Sequence, residues 1–259
     1  MDNSTAGANL CLQRSKARVA QKEVNVAVKI PDNYPLCVFF LSRYLQRQPH
    51  DALNFPLDQF PDGFIRYETL FHDALFHLTI TKEGLKAKGE FNFDSGDPNN
   101  LESALGVLRA AIHLGQAKFS KIALIKSKKG MRGADLTAEK NGFKVCFEVK
   151  TITKRSTGKK NLFLADKLFE KIKEGITSAR DQLASSEKEL QCDLTIYVCV
   201  VNWFEQTIYL NQSDFQQIVD KLEKNEEEES LQGVDGVWFI LKSGHLQAFL
   251  NDEARVLDT

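Results

Sequence analysis

Asp135, Glu148 and Lys150 are the residues whose types and spacing bear most directly on chemistry. They lie in GADLTAEKNGFKVCFEVKT, residues 133–151, which reads as two strands joined by a tight turn at Asn141-Gly142. Asn-Gly between β-patterned residues is a strong hairpin signal, because both turn residues must take φ > 0. With these two at the turn, Lys140 faces Phe143, Glu139 faces Lys144, Thr137 faces Cys146 and Asp135 faces Glu148. Opposed residues share a face, and the last pair falls at a non-hydrogen-bonded position with Cα atoms about 4.5 Å apart. Lys150, two residues on, points the same way. Phe143, Val145, Phe147 and Val149 form the other, apolar face. A three-residue loop over Lys140 to Gly142, with a bulge, would instead shift the pairing by one.

Like charges directly opposed destabilise a strand pair. A divalent cation between the carboxylates offsets that repulsion, and hard oxygen ligands of this kind suit Mg²⁺ or Mn²⁺. A lysine beside the ion can orient or help deprotonate an attacking water. The plainer alternative is a solvated hairpin face on which Glu148 and Lys150 are merely neighbours.

Asp135, twelve intervening residues and then Glu148-Val149-Lys150 resembles the active-site signature of the PD-(D/E)XK nuclease superfamily. The spacing from Glu102 through Asp135 and Glu148 to Lys150 is similar to that of archaeal Holliday-junction resolvases and Mrr-like restriction domains. Ala134 stands where the family has proline. The resemblance covers about residues 98 to 202. It implies an α/β fold with a restriction-endonuclease-like core, a mixed central sheet flanked by helices. It also implies a metal-dependent DNA endonuclease of the restriction, defence or DNA-processing kind. Asp135, Glu148, the Val149 carbonyl and Glu102 would hold Mg²⁺ or Mn²⁺, and Lys150 would assist catalysis. Family members that cut both strands often pair two subunits, so a homodimer is one expectation. The alternative function is a catalytically silent nuclease-fold module that binds nucleic acid or a partner protein.

The charge distribution bears on the substrate. The 259-residue chain has a net charge of −1. Yet Lys118 to Lys173 carries sixteen Lys plus Arg against five Asp plus Glu. A basic segment around the candidate site is the footprint expected for a phosphodiester substrate. Two basic turns supply candidate phosphate contacts: Lys128, Lys129 and Arg132 before the hairpin, and Lys154, Arg155, Lys159 and Lys160 after it. Gln182 or Lys171, on the helix that follows, is placed where superfamily members often add a polar residue near the metal.

Hydrophobic content of 42% and charged content of 27% are those of a globular protein rather than a disordered one. The chain lacks a run of eighteen apolar residues and an apolar core near its N-terminus, so no membrane span and a cytoplasmic location are expected. Five cysteines without C-x-x-C spacing favour buried reduced thiols over disulfides or a zinc site.

Two parts are expected. Residues 1–96 read as a β-rich N-terminal module, with a strand over Val24 to Ile30 and β-patterning from Phe64 to Phe93 around a Lys82-Glu83-Gly84 turn. Leu36 to Gln46 fits helix or strand. His72 and His77 read as half-buried histidines rather than ligands. Residues 97–259 read as the nuclease-like domain. Asp97-Pro98 opens a helix to about Lys118, bearing Glu102 either as a site residue or as an exposed glutamate favoured by the helix dipole. A strand spans Lys121 to Ser127, an amphipathic helix Leu162 to about Glu189, and a buried strand Asp193 to Val201. Phe204 to Leu210 reads as a further strand. A helix capped by Ser213 and a hairpin around Ser243-Gly244 complete the chain. Trp203 and Trp238 read as packing residues.

Overall fold

The turn at Asn141-Gly142 sets the register of the sheet in which it lies. Both residues adopt positive φ, 52° and 85°, as a two-residue hairpin turn requires. The strands on either side pair in the expected register, Lys140 with Phe143, Glu139 with Lys144 and Thr137 with Cys146. The computed structural model describes residues 30–47, 62–88, 91, 98–125, 133–152, 165–201, 212–225, 228–241 and 244–258.

Among these the strands β1 (Ser120–Leu124), β2 (Leu136–Lys140), β3 (Phe143–Ile152), β4 (Leu194–Val201), β5 (Gly236–Leu241) and β6 (Gly244–Phe249) form one mixed sheet in sequence order. The outer pairs are antiparallel, while β3/β4 and β4/β5 are parallel. Parallel neighbours need crossover connections. The helices α5 (Ala165–Leu190) and α6 (Gln212–Lys224) lie within those connections.

Among the described residues four helices precede the sheet: α1 (Pro35–Arg47), α2 (Asp62–His77), the short α3 (Lys82–Lys86) and α4 (Pro98–Gln116). Of these, α4 packs on one face of the sheet, against Val145, Phe147 and Val149 of β3 and Ile196, Val198 and Val200 of β4, while α2 packs on α4 and α1 on α2. On the other face, α5 and α6 cover Cys146, Tyr197, Cys199 and Val201. All eight residues of β4 are buried, which explains its unbroken apolar sequence. The architecture is therefore α/β, a six-stranded mixed sheet flanked by helices. Gly106 of α4 and Gly175 of α5 permit close approach: a Cβ would stand 1.9 Å from Thr151 Oγ1 in one case and 2.0 Å from the Tyr197 hydroxyl in the other.

The β-rich N-terminal module is not what the structure shows. The described residues before Pro98 carry helices and no strand. Phe64, Tyr67, Leu70, Phe71, Ala74 and Leu78 are all buried, and their spacing is that of one helical face. The aromatic and β-branched content of this segment gave it a false β character. Leu36 to Gln46 lies in α1, whose first turn is held by Glu68: Leu36 and Cys37 donate their amides to its two carboxylate oxygens at 2.9 and 2.8 Å. The Lys82-Glu83-Gly84 turn is the short helix α3, capped by the Thr81 side chain. His72 is exposed rather than half-buried. Residues 24–29 of the first expected strand, the whole of the one over Phe204 to Leu210, and Trp203 lie outside the described residues.

Cysteine pairing also differs from the expectation of reduced thiols. Cys146 of β3 and Cys192, just before β4, form a disulfide, with Cα atoms 6.0 Å apart. Asp193 clamps this connection to β3: its amide donates to the Lys144 carbonyl and its carboxylate accepts the Lys144 amide. A separation of 46 residues in sequence gave no sign of that contact. Cys37 and Cys199 are buried free thiols, and burial pushes both thiol pKa values up. Trp238 is a packing residue, fully enclosed beside Phe119, Phe147 and His113.

His113, at the far end of α4, is buried against His245 and Trp238. Burial above all, then His245 and Arg109, pulls its pKa down to about 4. The folded state thus holds it neutral, a contribution present above the unfolded value near 6.5 and lost as pH falls toward 4. His113→Leu should therefore flatten the fall in unfolding free energy between pH 6.5 and 4 by up to about 3 kcal/mol relative to the parent. Denaturant titrations at pH 7 and pH 4.5 measure this difference.

Candidate active site

β3 carries the two charged residues nearest the middle of the sheet. Strand alternation puts Glu148 and Lys150 on the α5 face, with Cys146 and opposite Tyr197 and Cys199 of β4. Glu148 is only 1% exposed. A carboxylate taken so far from water needs a countercharge or hydrogen bonds. Lys150 provides the first, since its ammonium donates to Glu148 Oε1 while its own side chain remains 40% exposed. The plainer alternative of a solvated hairpin face therefore does not hold for Glu148. The Tyr197 phenol is pushed well above its ordinary pKa, by burial first and then by Cys199 and Glu148.

Asp135 stands just ahead of β2, and here the expected geometry needs a correction. The regular ladder ends at Leu136 opposite Phe147. The Asp135 amide donates to that same Phe147 carbonyl, at 2.9 Å. Two residues thus meet one, the pairing of a β-bulge, so Asp135 does not simply oppose Glu148. Its carboxylate instead accepts the Val149 amide through Oδ2, at 2.8 Å. That contact places Asp135 beside the peptide between Glu148 and Lys150. In a strand, a residue's N–H and C=O point to the same edge, so the Val149 carbonyl faces the Asp135 side as its amide does. Asp135, Glu148, Val149 and Lys150 are therefore gathered at one place, where β3 runs on beyond its described pairing with β2.

Glu102 lies in the first turns of α4 and is only 4% exposed, which removes the alternative of a solvated glutamate. Its main-chain carbonyl accepts Thr151 Oγ1 at 3.3 Å, so its turn rests against the residue following Lys150. It also acts on Tyr67 of α2, whose pKa is raised by burial first, then by Tyr44 and Glu102. Among the described residues no group of three or more His, Cys, Asp or Glu side chains is gathered to hold an ion. The contact of Glu102 with this strand is the main-chain one to Thr151. The donor set that remains, two carboxylates and a main-chain carbonyl next to a lysine, matches the oxygen preference of Mg²⁺ or Mn²⁺.

Gln182 and Lys171 are half-buried on α5, and Lys171 pairs with Glu174 at 3.5 Å. Lys128, Lys129, Arg132, Lys154, Arg155, Lys159 and Lys160 lie outside the described residues. Ser186 of α5 was missed in the sequence. It is 4% exposed, and its Oγ accepts the Ala134 amide at 2.8 Å. The signal for it was a polar residue falling on the apolar stripe of α5 with Ala179, Leu183 and Leu190.

The Asp135–Val149 contact predicts a stability effect separate from any catalysis. Asp135→Ala should cost about 1–3 kcal/mol by leaving the Val149 amide without its acceptor, and Asp135→Asn, which keeps a carbonyl oxygen, should cost less. Urea unfolding of the three proteins tests this ordering. Comparison of the chain with family models, with curated proteins and with solved structures finds no match.

Proposed function

We propose that this protein is a metal-dependent endonuclease that hydrolyses phosphodiester bonds in DNA, built on a restriction-endonuclease-like core. The observation that carries this reading is the convergence at the end of β2: Asp135 Oδ2 lies 2.8 Å from the Val149 amide, and Lys150 sits on the buried Glu148. The resemblance of Asp135, Glu148-Val149-Lys150 to the PD-(D/E)XK signature supports it. So does the sequence concentration of lysine and arginine between Lys118 and Lys173.

In this reading Asp135, Glu148 and the Val149 carbonyl hold Mg²⁺ or Mn²⁺. Such an ion, when bound, neutralises phosphate charge and lowers the pKa of a water. Glu148 supplies a carboxylate that the core keeps in place, since its strand is fixed by β2 on one side and β4 on the other. Asp135 supplies a second, oriented by the Val149 amide. Lys150, released from Glu148, orients the attacking water or stabilises the charge that develops on the phosphoryl oxygens. Glu102 supports the site from α4, through its contact with Thr151. The basic segments before and after the hairpin hold the DNA backbone, and two subunits would serve for cutting both strands.

A second reading has one observation in its favour. The Glu148–Lys150 ion pair is internally neutral, as suits a silent nuclease-fold module that binds nucleic acid or a partner protein without cutting. Supercoiled plasmid incubated with Mg²⁺, Mn²⁺ or EDTA separates the two. The proposed function predicts metal-dependent nicking, reduced about 100-fold or more in Lys150→Ala and Glu148→Gln. Parent protein that binds plasmid without nicking it would support the silent module, and Lys150→Ala cutting at the parent rate would contradict the mechanism.

A further inference from the structure

We propose that Ser186 is a positioning residue for Asp135, an anchor on α5 that fixes where the β2 carboxylate sits. The inference rests on the reading of Asp135 as a site residue. The main chain around the bulge is held from two layers. The Asp135 carbonyl accepts the Ile125 amide, and its own amide donates to Phe147, each at 2.9 Å. These two bonds fix the peptides on either side of Asp135. The Gly133–Ala134 peptide, one unit further back, is fixed from the helix layer, by the Ala134 amide donating 2.8 Å to Ser186 Oγ.

Both members of that bond are buried, Ala134 at 3% and Ser186 at 4% exposed. Gly133 closes in on the same hydroxyl, where a Cβ would stand 3.0 Å from Ser186 Oγ. A bulged strand end has lost its regular ladder partner and depends on other contacts for its direction. Here that contact comes from a helix that is itself seated on the sheet through Ile172, Ile176, Ala179 and Leu183. Ser186 thereby transfers the rigidity of α5 to the residue preceding Asp135. The Asp135 side chain in turn reaches the Val149 amide. Supporting partners of this kind are worth about 10- to 100-fold in metal affinity where they orient a ligand.

The Val149 amide offers a reading of Asp135 that needs neither metal nor substrate. Ser186→Ala should raise hydrogen exchange at the Ala134 and Val149 amides about tenfold, while the Ile196 amide in the middle of β4 keeps the parent rate. Mn²⁺ affinity, measured by calorimetry on the folded variant, should fall about 10- to 100-fold. Unchanged exchange at Val149 would overturn the proposal, as would unchanged Mn²⁺ affinity in a parent that binds the ion. A parent that binds no Mn²⁺ would end the nuclease reading instead, and the exchange result would still decide the role of Ser186.

The substitution Ala134→Pro provides an independent check. Proline has no N–H to donate to Ser186, and at position 134 its ring enters the space of that hydroxyl. Ala134→Pro should therefore expose Val149 to exchange about as much as Ser186→Ala does, and it decides alone if Ser186→Ala does not fold. Exchange at Val149 at the parent rate would overturn the anchor.

Discussion

A carboxylate held almost out of water in the third strand of a six-stranded sheet is the constraint on which the candidate site depends. Glu148 is buried opposite Tyr197 of β4 on the sheet face covered by α5, and an ion moved from water into such surroundings loses several kcal/mol of solvation. The fold can keep it there only by supplying positive charge and directed donors nearby. Lys150 is that charge in this structure, and its partly exposed ammonium can leave without breaking the core. Under the proposed function a metal ion meets the same demand for positive charge once Lys150 moves off Glu148.

The elements around this pair act as a frame. β4, buried on both faces, lines up Tyr197 and Cys199 beside Glu148 and Lys150. Close helix approach at Gly106 and Gly175 brings α4 and α5 onto opposite faces of the sheet. β2 stops early, and the bulge at Asp135 turns its last carboxylate toward the Val149 amide rather than continuing the ladder. What a uniform hairpin would have made a repulsive pair of opposed acids becomes two carboxylates flanking one peptide. The disulfide between Cys146 and Cys192 ties this strand to the connection leading into β4.

The sequence showed the local parts of this arrangement and hid the long-range ones. Asn141-Gly142 determines a turn by its backbone preference alone, so the register of β2 and β3 could be counted out from it. Pro98 and the apolar spacing that follows likewise marked α4, and the unbroken run Leu194–Val201 marked a strand covered on both sides. The bulge was not legible, because it arises from the competition between the ladder and the Asp135 side chain for the Val149 amide. The helices of the first part were misread because Phe64, Phe71 and Phe76 favour strands by type while their neighbours bury at helical spacing. Contacts between distant segments, Cys146 with Cys192 and Ala134 with Ser186, depend on how helices settle on the sheet, which no local pattern encodes.

The most direct test of the central claim is a crystal soaked with Mn²⁺ and examined by anomalous scattering. The expected result is a peak bounded by Asp135, Glu148 and the Val149 carbonyl, with the Lys150 ammonium moved off Glu148. An ordered site without any peak, with Lys150 still resting on Glu148, would contradict it.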